Sequence, residues 1–159
     1  MKTQFKPAAK LTALCMAALI STSFLSSCNK DDDPIDNYAI TGNANGAMVV
    51  PAVADTGTAS IVGTYNPSTN VLTTTTTWTG LSGGPTSGGF YNGAVGANGP
   101  AVGSSWEFTP PADKNGSRSD TLTITENDET QLLQGNWYYL LNTTKNPGGE
   151  IRGQIAAAK

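Results

Sequence analysis

Glycine and proline interrupt this chain so often that long helices are excluded from most of it. The sequence contains 18 glycines, all of them after residue 41, and 9 prolines. Both residues are disfavoured within a helix and favoured in turns. The intervening segments are rich in threonine, including five in succession at positions 73–77, and β-branched residues favour strands. The sequence therefore predicts an all-β fold of short strands joined by turns.

The composition also excludes most catalytic chemistry. The 159 residues suit one domain, and the chain contains no histidine. This removes the commonest general base, the histidine-dependent nucleophilic sites and the zinc sites that need imidazole. We expect no enzymatic activity, no metal and no cofactor; the alternative is a metal-independent hydrolase of envelope or extracellular polysaccharide that uses Glu126 or Glu150.

Residues 1–27 are typical of a bacterial export signal. Three lysines precede an apolar segment at residues 11–20, which is shorter than the about 20 apolar residues that span a bilayer. The run Leu25-Ser26-Ser27-Cys28 resembles the lipobox of bacterial lipoproteins, in which the cysteine receives lipid. We expect Cys28 to anchor the mature protein to a membrane. Because Cys15 lies in the leader, no thiol remains for a disulfide or a metal.

Residues 28–37 are expected to form an acidic tether in front of the folded domain, residues 38–159. The segment Asn29-Lys30-Asp31-Asp32-Asp33 resembles the surface-export signal of some Gram-negative lipoproteins, which favours a surface-exposed position on the outer membrane. The alternative is a solvated spacer without an address. Removal of the leader takes away three of the 9 basic residues and none of the 12 acidic ones, leaving a net charge of −6. That charge argues against nucleic acid as a partner.

Alternating hydrophobicity and turn residues locate the strands. They are predicted at residues 56–65, 71–79, 101–108, 121–125, 137–141 and 150–155, with the threonine run as a solvated strand. One short helical turn is predicted from Asp128, Gln131 and Gly135. A type II turn is predicted at residues 146–149 and a frayed end at residues 156–159.

Residues 82–103 contain eight glycines and two prolines and are predicted to form a long loop. Long loops in compact domains are often functional, so this loop is the leading candidate for a contact surface. Its candidate contact residues are Phe90, Tyr91 and Asn92, with Asn142 added by the family resemblance described below.

Charged residues suggest few further sites. Glu150 and Arg152 lie two apart on one strand face, which predicts an exposed structural ion pair. The segment from Asp113 to Asp120 offers oxygen ligands in a loose likeness of a calcium loop, but Lys114 and Arg118 oppose cation binding. The acidic group Glu126, Asp128 and Glu129 is explained by a helix N-terminus. The triplet Asp120-Thr121-Leu122 resembles a short acceptor pattern for O-glycosylation.

The C-terminal segment is similar to the closing signature of the CHRD (chordin) domain. The similar residues are Gly135-Asn136-Trp137-Tyr138 followed by Asn146-Pro147-Gly148-Gly149-Glu150-Ile151-Arg152-Gly153-Gln154-Ile155. Upstream, Val50-Pro51, Thr56-Gly57-Thr58-Ala59 and Trp78-Thr79-Gly80-Leu81 stand in the order that the family uses, so the resemblance spans residues 40–155. It implies an antiparallel β-sandwich, Greek-key and similar to immunoglobulin or superoxide-dismutase sandwiches, in an extracellular protein without established catalysis.

The chain departs from the family pattern at three positions. Relatives often carry histidines where this sequence has Phe90, Asn92 and Asn142. If those histidines hold a metal in relatives, this chain cannot form the site. Together with the lipobox, the resemblance implies a lipid-anchored binding or structural module whose partner is an extracellular protein or a glycan, with a periplasmic spacer or assembly factor as the alternative. The oligomeric state stays open.

Overall fold

The structure is a computed structural model that describes residues 37–109 and 111–159. The expected leader, the lipid attachment at Cys28 and the tether up to residue 36 lie outside the described residues and stay predictions. Within the described ranges, no helix is both long enough and apolar enough to cross a membrane.

The described chain consists of nine strands, one α-helix and one turn of 3₁₀ helix. The strands are β1 (Tyr38–Asn45), β2 (Thr58–Asn66), β3 (Val71–Thr79), β4 (Pro85–Asn92), β5 (Ala101–Glu107), β6 (Gly116–Thr123), β7 (Trp137–Thr143), β8 (Ile151–Gln154) and β9 (Ala156–Ala158). The 3₁₀ turn (Gly46–Met48) follows β1, and α1 (Glu126–Leu133) joins β6 to β7. An all-β antiparallel fold with one short helix is thereby confirmed.

All strands pair in one antiparallel sheet, in the order β5-β4-β7-β8-β1-β2-β3-β6. β8 pairs with the end of β1, and β9 pairs with its beginning. The sheet curls until its two edge strands face each other through side chains. The guanidinium carbon of Arg118 on β6 lies 5.7 Å from the ring centroid of Trp106 on β5, and a Cβ on Gly103 of β5 would stand 3.0 Å from Leu122 of β6. The result is a nearly closed, barrel-like sheet.

Alternate side chains of the strands fill the interior. On β3, the buried side chains are Leu72, Thr74, Thr76 and Trp78. The threonine run is therefore not the solvated strand that was predicted, since Thr74 and Thr76 are 2% and 0% exposed. The reason is that β3 is paired on both sides, with β2 and β6, so one face of the run packs its methyl groups into the core.

The structure differs most from the sequence prediction at residues 82–103. Much of the predicted loop is strand β4, which pairs with β5 on one side and β7 on the other. Both neighbours satisfy its backbone groups, which outweighs the poor strand propensity of glycine. Glycine is needed at position 88, because a Cβ there would stand 2.6 Å from the Leu140 carbonyl oxygen and 3.0 Å from the Trp106 ring. Residues 93–100 remain a loop.

The helix and the turn before β8 also differ in detail from the prediction. α1 is 8 residues long, and its N-cap is Thr125, which forms a capping box with Asp128. Asp128 is therefore the last residue of the capping box, at the third position of the helix, and not its first residue. In the turn at residues 146–149, positive φ falls on Gly149, at 124°, and not on Gly148. A type II turn requires positive φ at its third residue, so the predicted turn type was wrong.

The two ends of the C-terminal half are more regular than expected. β6 begins at Gly116, ahead of the predicted start at residue 121, because β3 pairs with it along its whole length. Residues 156–158 are not frayed, since they pair with residues 39–41 of β1 as β9. The strand partners in the part of the chain that the structure describes thus all lie within residues 38–158, and we expect this segment to fold on its own.

Gly153 is predicted to be intolerant of even a methyl group. A Cβ at this position would stand 2.6 Å from both the Asn43 carbonyl oxygen and a ring carbon of Tyr139. We expect Gly153→Ala to lower the free energy of unfolding by about 2–3 kcal/mol, because backbone and a buried ring must move. The matched control is Gly148→Ala, where no atom lies within 4 Å of the new Cβ. Equal urea midpoints for the two variants would contradict the packing argument.

Candidate functional site

The four candidate contact residues do not lie together on one loop. Phe90 is 3% exposed and packs in the core, with its ring centroid 5.0 Å from that of Trp106. Tyr91 and Asn92 are half-buried at the end of β4. Asn142 lies on β7 and donates a hydrogen bond of 3.0 Å to Ser87 Oγ. Burial leaves Phe90 without surface for a partner, whereas the contact role of the other three stays a prediction.

The positions at which relatives carry histidine do not converge either. In the register of β4 and β7, Phe90 pairs with Tyr139, whereas Asn142 pairs with Ser87, three residues earlier on β4. Strand alternation directs Phe90 into the core and Asn142 to the outer face of the sheet. The side chains at Phe90, Asn92 and Asn142 therefore share no common point in this fold.

A carboxylate is buried in the turn that leads into β8. Glu150 is 0% exposed. One of its oxygens accepts a hydrogen bond of 2.6 Å from the Ser82 backbone N–H, and the other accepts from the hydroxyls of Ser82 and Thr143, the latter at 2.6 Å. Asn146 Nδ2 donates a fourth bond of 3.3 Å. A buried carboxylate is tolerated only when hydrogen bonds replace its hydration, and here these four do so.

The same hydrogen bonds set the protonation state of Glu150. Burial alone would raise the pKa of its carboxyl, but the bonds from Ser82, Thr143 and Asn146 outweigh burial and hold the pKa below its ordinary value. Asn146 is fixed in turn by Asp55, whose Oδ2 accepts from its Nδ2 at 2.6 Å. Hydrogen bonds from Lys145 and then Asn146 lower the pKa of Asp55. The Glu150 carboxylate thus joins the loop before β4 to the turn between β7 and β8.

Arg152 follows Glu150 two residues later in the sequence and is also buried. It is 1% exposed, so the prediction of an exposed pair with Glu150 was wrong for both residues. Its Nη2 donates to the carbonyl oxygens of Ala94 and Ala97, at 3.0 and 2.8 Å, and its Nη1 donates to Asn98 Oδ1 at 3.4 Å. Among the described residues, no carboxylate lies within ion-pair distance of this guanidinium. In the described chain, the positive charge is therefore stabilised by the dipoles of the loop at residues 93–100 and not by an opposite charge.

An aromatic stack supports the guanidinium. Its central carbon lies 3.6 Å from the ring centroid of Tyr138, and the Tyr91 ring stacks on Tyr138 with centroids 5.2 Å apart and an interplanar angle of 13°. The Tyr138 hydroxyl also accepts from the Gly99 N–H at 3.2 Å. Burial lowers the pKa of Arg152, but a guanidinium stays protonated at neutral pH. A permanent cation is thus held on a rigid tyrosine face.

A groove of about 330 Å³ opens over Arg152 on the outer face of the sheet. Its walls come from the 3₁₀ turn and the residues after it on one side and from the loop at residues 93–100 on the other. Asn98 ties the two sides together by donating a hydrogen bond of 2.9 Å to the Val50 carbonyl oxygen. The residues that line it are Ala47, Met48, Val49, Val50, Val95, Gly96, Arg152 and Gln154. The groove is apolar except for Arg152 and Gln154, and its volume lies at the lower end of the range of small-molecule sites.

The oxygen ligands considered for calcium are not assembled into a site. Asp120 lies on β6 and pairs with Arg118 at 2.8 Å. The Asn115 side chain accepts from Thr79 and from the Gly80 N–H, at 2.9 and 2.7 Å. Across residues 37–109 and 111–159, no group of three or more aspartates, glutamates, histidines or cysteines stands close enough to hold a metal ion. These polar groups act within the sheet edge and its adjoining turn.

Comparison with known proteins identifies the family. A family model, the CHRD domain, matches residues 40–155. The chain therefore belongs to the CHRD domain family, and the match covers the segment whose motifs suggested it. No curated protein matches the chain, and no solved structure does.

The fold gives a physical reason for the closing signature of the domain. Gly149 adopts a φ of 124°, and a Cβ there would stand 2.7 Å from a methyl carbon of Leu140. Glu150 and Arg152 tie down two different loops, and Gly153 leaves room for the Tyr139 ring. Sequence reasoning missed Tyr138 and Val95 as neighbours of Arg152. The available signal was the position of Arg152 directly between Ile151 and Gly153.

Replacement of Glu150 by glutamine tests the buried carboxylate. We expect Glu150→Gln to lower the free energy of unfolding at pH 7 by about 2 kcal/mol, because an amide NH₂ would face hydrogen-bond donors. Since the folded pKa is lowered, the stabilisation is complete above the ordinary value of 4.5 and is lost as the pH falls through the folded pKa. Urea unfolding from pH 7 towards pH 3 should therefore show the difference from the wild type shrinking. Glu107→Gln, on the exposed end of β5, is the control, and a pH-independent difference would refute the assignment.

Proposed function

We propose that this protein is a lipid-anchored protein of the bacterial outer membrane, exposed at the cell surface, and that its CHRD domain is a non-catalytic binding or structural module. Cys28 carries the lipid, and the acidic segment behind it spaces the domain from the headgroups. The domain itself is the nearly closed antiparallel sheet described above. Its ligand-contacting surface is the groove over Arg152, on the outer face of the sheet.

The observation that carries this proposal is the construction of that groove. Its two walls come from separate segments that Asn98 joins through the Val50 carbonyl oxygen, and its floor is a strand whose Arg152 is fixed by three hydrogen bonds. A rigid, preformed concave surface with few polar groups is typical of binding sites. An extracellular protein or a glycan is the partner class that an envelope location favours.

The alternatives have less support. A metal-independent hydrolase would need two accessible carboxylates that flank a substrate. Glu150 is buried with both oxygens occupied, and Glu126 is the exposed first residue of α1, which does not favour a shared cleft. A periplasmic spacer or assembly factor differs from the proposal in orientation and needs no ligand.

Replacement of the lipidated cysteine tests the anchoring. We expect radiolabelled palmitate to enter the wild-type protein and not the Cys28→Ser variant, because the acyl chains need this cysteine. In the wild type, protease added to intact cells should remove the domain, whereas a periplasmic protein should resist until the outer membrane is opened. A labelled Cys28→Ser protein would refute lipid attachment at Cys28, and resistance on intact cells would favour the spacer.

Binding is tested separately with the soluble domain from Tyr38 onward. The domain is applied in solution to a glycan array. In a second experiment the immobilised domain is exposed to culture medium and to cell-surface extracts. A ligand whose capture is lost when the exposed groove residue Met48 is replaced by glutamate, and kept when the exposed Val62 on β2 is replaced by glutamate, supports the groove as the contact surface. Equal capture by both variants would move the contact surface elsewhere on the domain.

A further inference from the structure

Arg152 is the one charged residue among those that line the groove. Its hydrogen bonds go to Ala94, Ala97 and Asn98 and use three of its five N–H groups. Within the described chain, no carboxylate offsets this charge. Loop carbonyls supply only partial negative charge. A buried guanidinium without a counter-ion is therefore expected to attract an anion.

The walls of the groove expose apolar surface that a soluble domain normally covers. The three exposed large hydrophobic residues of the described chain are Met48, Val62 and Val95, at 44%, 57% and 81%. Two of them, Met48 and Val95, line this groove and come from the two segments that form it. An exposed apolar groove marks a binding site more often than a single exposed side chain does.

These two properties define one kind of ligand. We propose that the groove binds an organic monoacid, with its carboxylate at Arg152 and its aliphatic body between Met48 and Val95. The inference rests on the proposed function because it concerns the same groove, but it assigns a small organic acid to it where the envelope location favours a protein or a glycan. Arg152 is 1% exposed but lines the groove, so the carboxylate would enter the groove and form a charge-assisted bond with one of the two N–H groups that the loop does not use. The Tyr138 ring and the loop carbonyls already hold the guanidinium, so little conformational entropy is lost when the ligand binds.

Charge and wall chemistry favour a monoacid over a phosphorylated or sugar ligand. The residues that line the groove include no lysine and no second arginine, and a doubly charged phosphate is usually met by several donors or cations. Gln154 Nε2 is already engaged with the carbonyl oxygens of Gly93 and Gly135, at 3.0 and 2.7 Å. Few polar groups therefore remain to bind sugar hydroxyls, whereas the apolar walls suit an alkyl chain.

Three probes with the same alkyl chain separate charge from hydrophobicity. Octanoate, 1-octanol and octylammonium are titrated into the ¹⁵N-labelled soluble domain from Tyr38 onward at pH 7, and amide shifts are followed by NMR. We expect octanoate to shift the amides of residues 47–50 and 94–98 in a saturable way. The alcohol should bind at least tenfold more weakly, and the ammonium should produce no saturable shift, because the guanidinium attracts one charge and repels the other.

A charge introduced at the rim tests the location without disturbing the buried arginine. Val95→Asp places a carboxylate on the groove wall at a residue that is 81% exposed, so the fold should be kept. We expect this variant to weaken octanoate binding at least tenfold. The matched control is Val62→Asp on β2, which introduces the same charge at an exposed valine outside the groove and should leave the affinity unchanged.

The outcomes separate this inference from the proposed function. Octanol binding as tightly as octanoate at the same amides would overturn the carboxylate assignment while leaving the groove as a binding surface. No saturable shift with octanoate would also overturn the monoacid inference, and the capture experiment with the Met48 and Val62 variants would still decide the proposed function. Equal weakening by Val95→Asp and Val62→Asp would show a net-charge effect and would refute the location.

Discussion

Two opposite charges buried on either side of Ile151 connect the parts of this domain that are far apart in sequence. Glu150 accepts hydrogen bonds from Ser82, in the loop before β4, and from Thr143, at the end of β7. Arg152 donates hydrogen bonds to the loop between β4 and β5. Neither charge neutralises the other, so each depends on dipoles supplied by its own loop. Leaving either charge without those partners would be strongly unfavourable in the interior. The positions of both loops, and of the groove that one of them forms, follow from this requirement.

Strand β8 belongs both to the groove and to the middle of the sheet. β8 is short, but it lies between β7 and β1 in the middle of the strand order. It therefore joins the two halves of the sheet. Its inward residue Ile151 is buried in the core, while its outward residue Arg152 is covered by the loop at residues 93–100. A strand buried on both faces is expected to be apolar. The arginine in this one is the residue around which the candidate site is built.

Much of the strand pattern follows from local sequence, and its failures have local explanations. β3 was predicted with its observed bounds, because alternation and the turn at residues 66–70 are both signals of short range. β4 was missed because its glycines suggest a loop, and only its two neighbouring strands make it a strand. The burial of Thr74 and Thr76 was missed because a run of threonines does not show which face of the strand packs against the core.

The sequence by itself determined the fold class, the extent of the CHRD domain at residues 40–155 and the closing segment that contains Glu150 and Arg152. Periodicity and motif spacing carry that information because they depend on neighbours along the chain. Tertiary structure alone decided that these two residues are buried, that they do not pair, and that Met48 and Val95 line the same groove as Arg152. The partners of a buried charge come from segments distant in sequence, and a one-dimensional pattern contains no record of which loop will cover which strand.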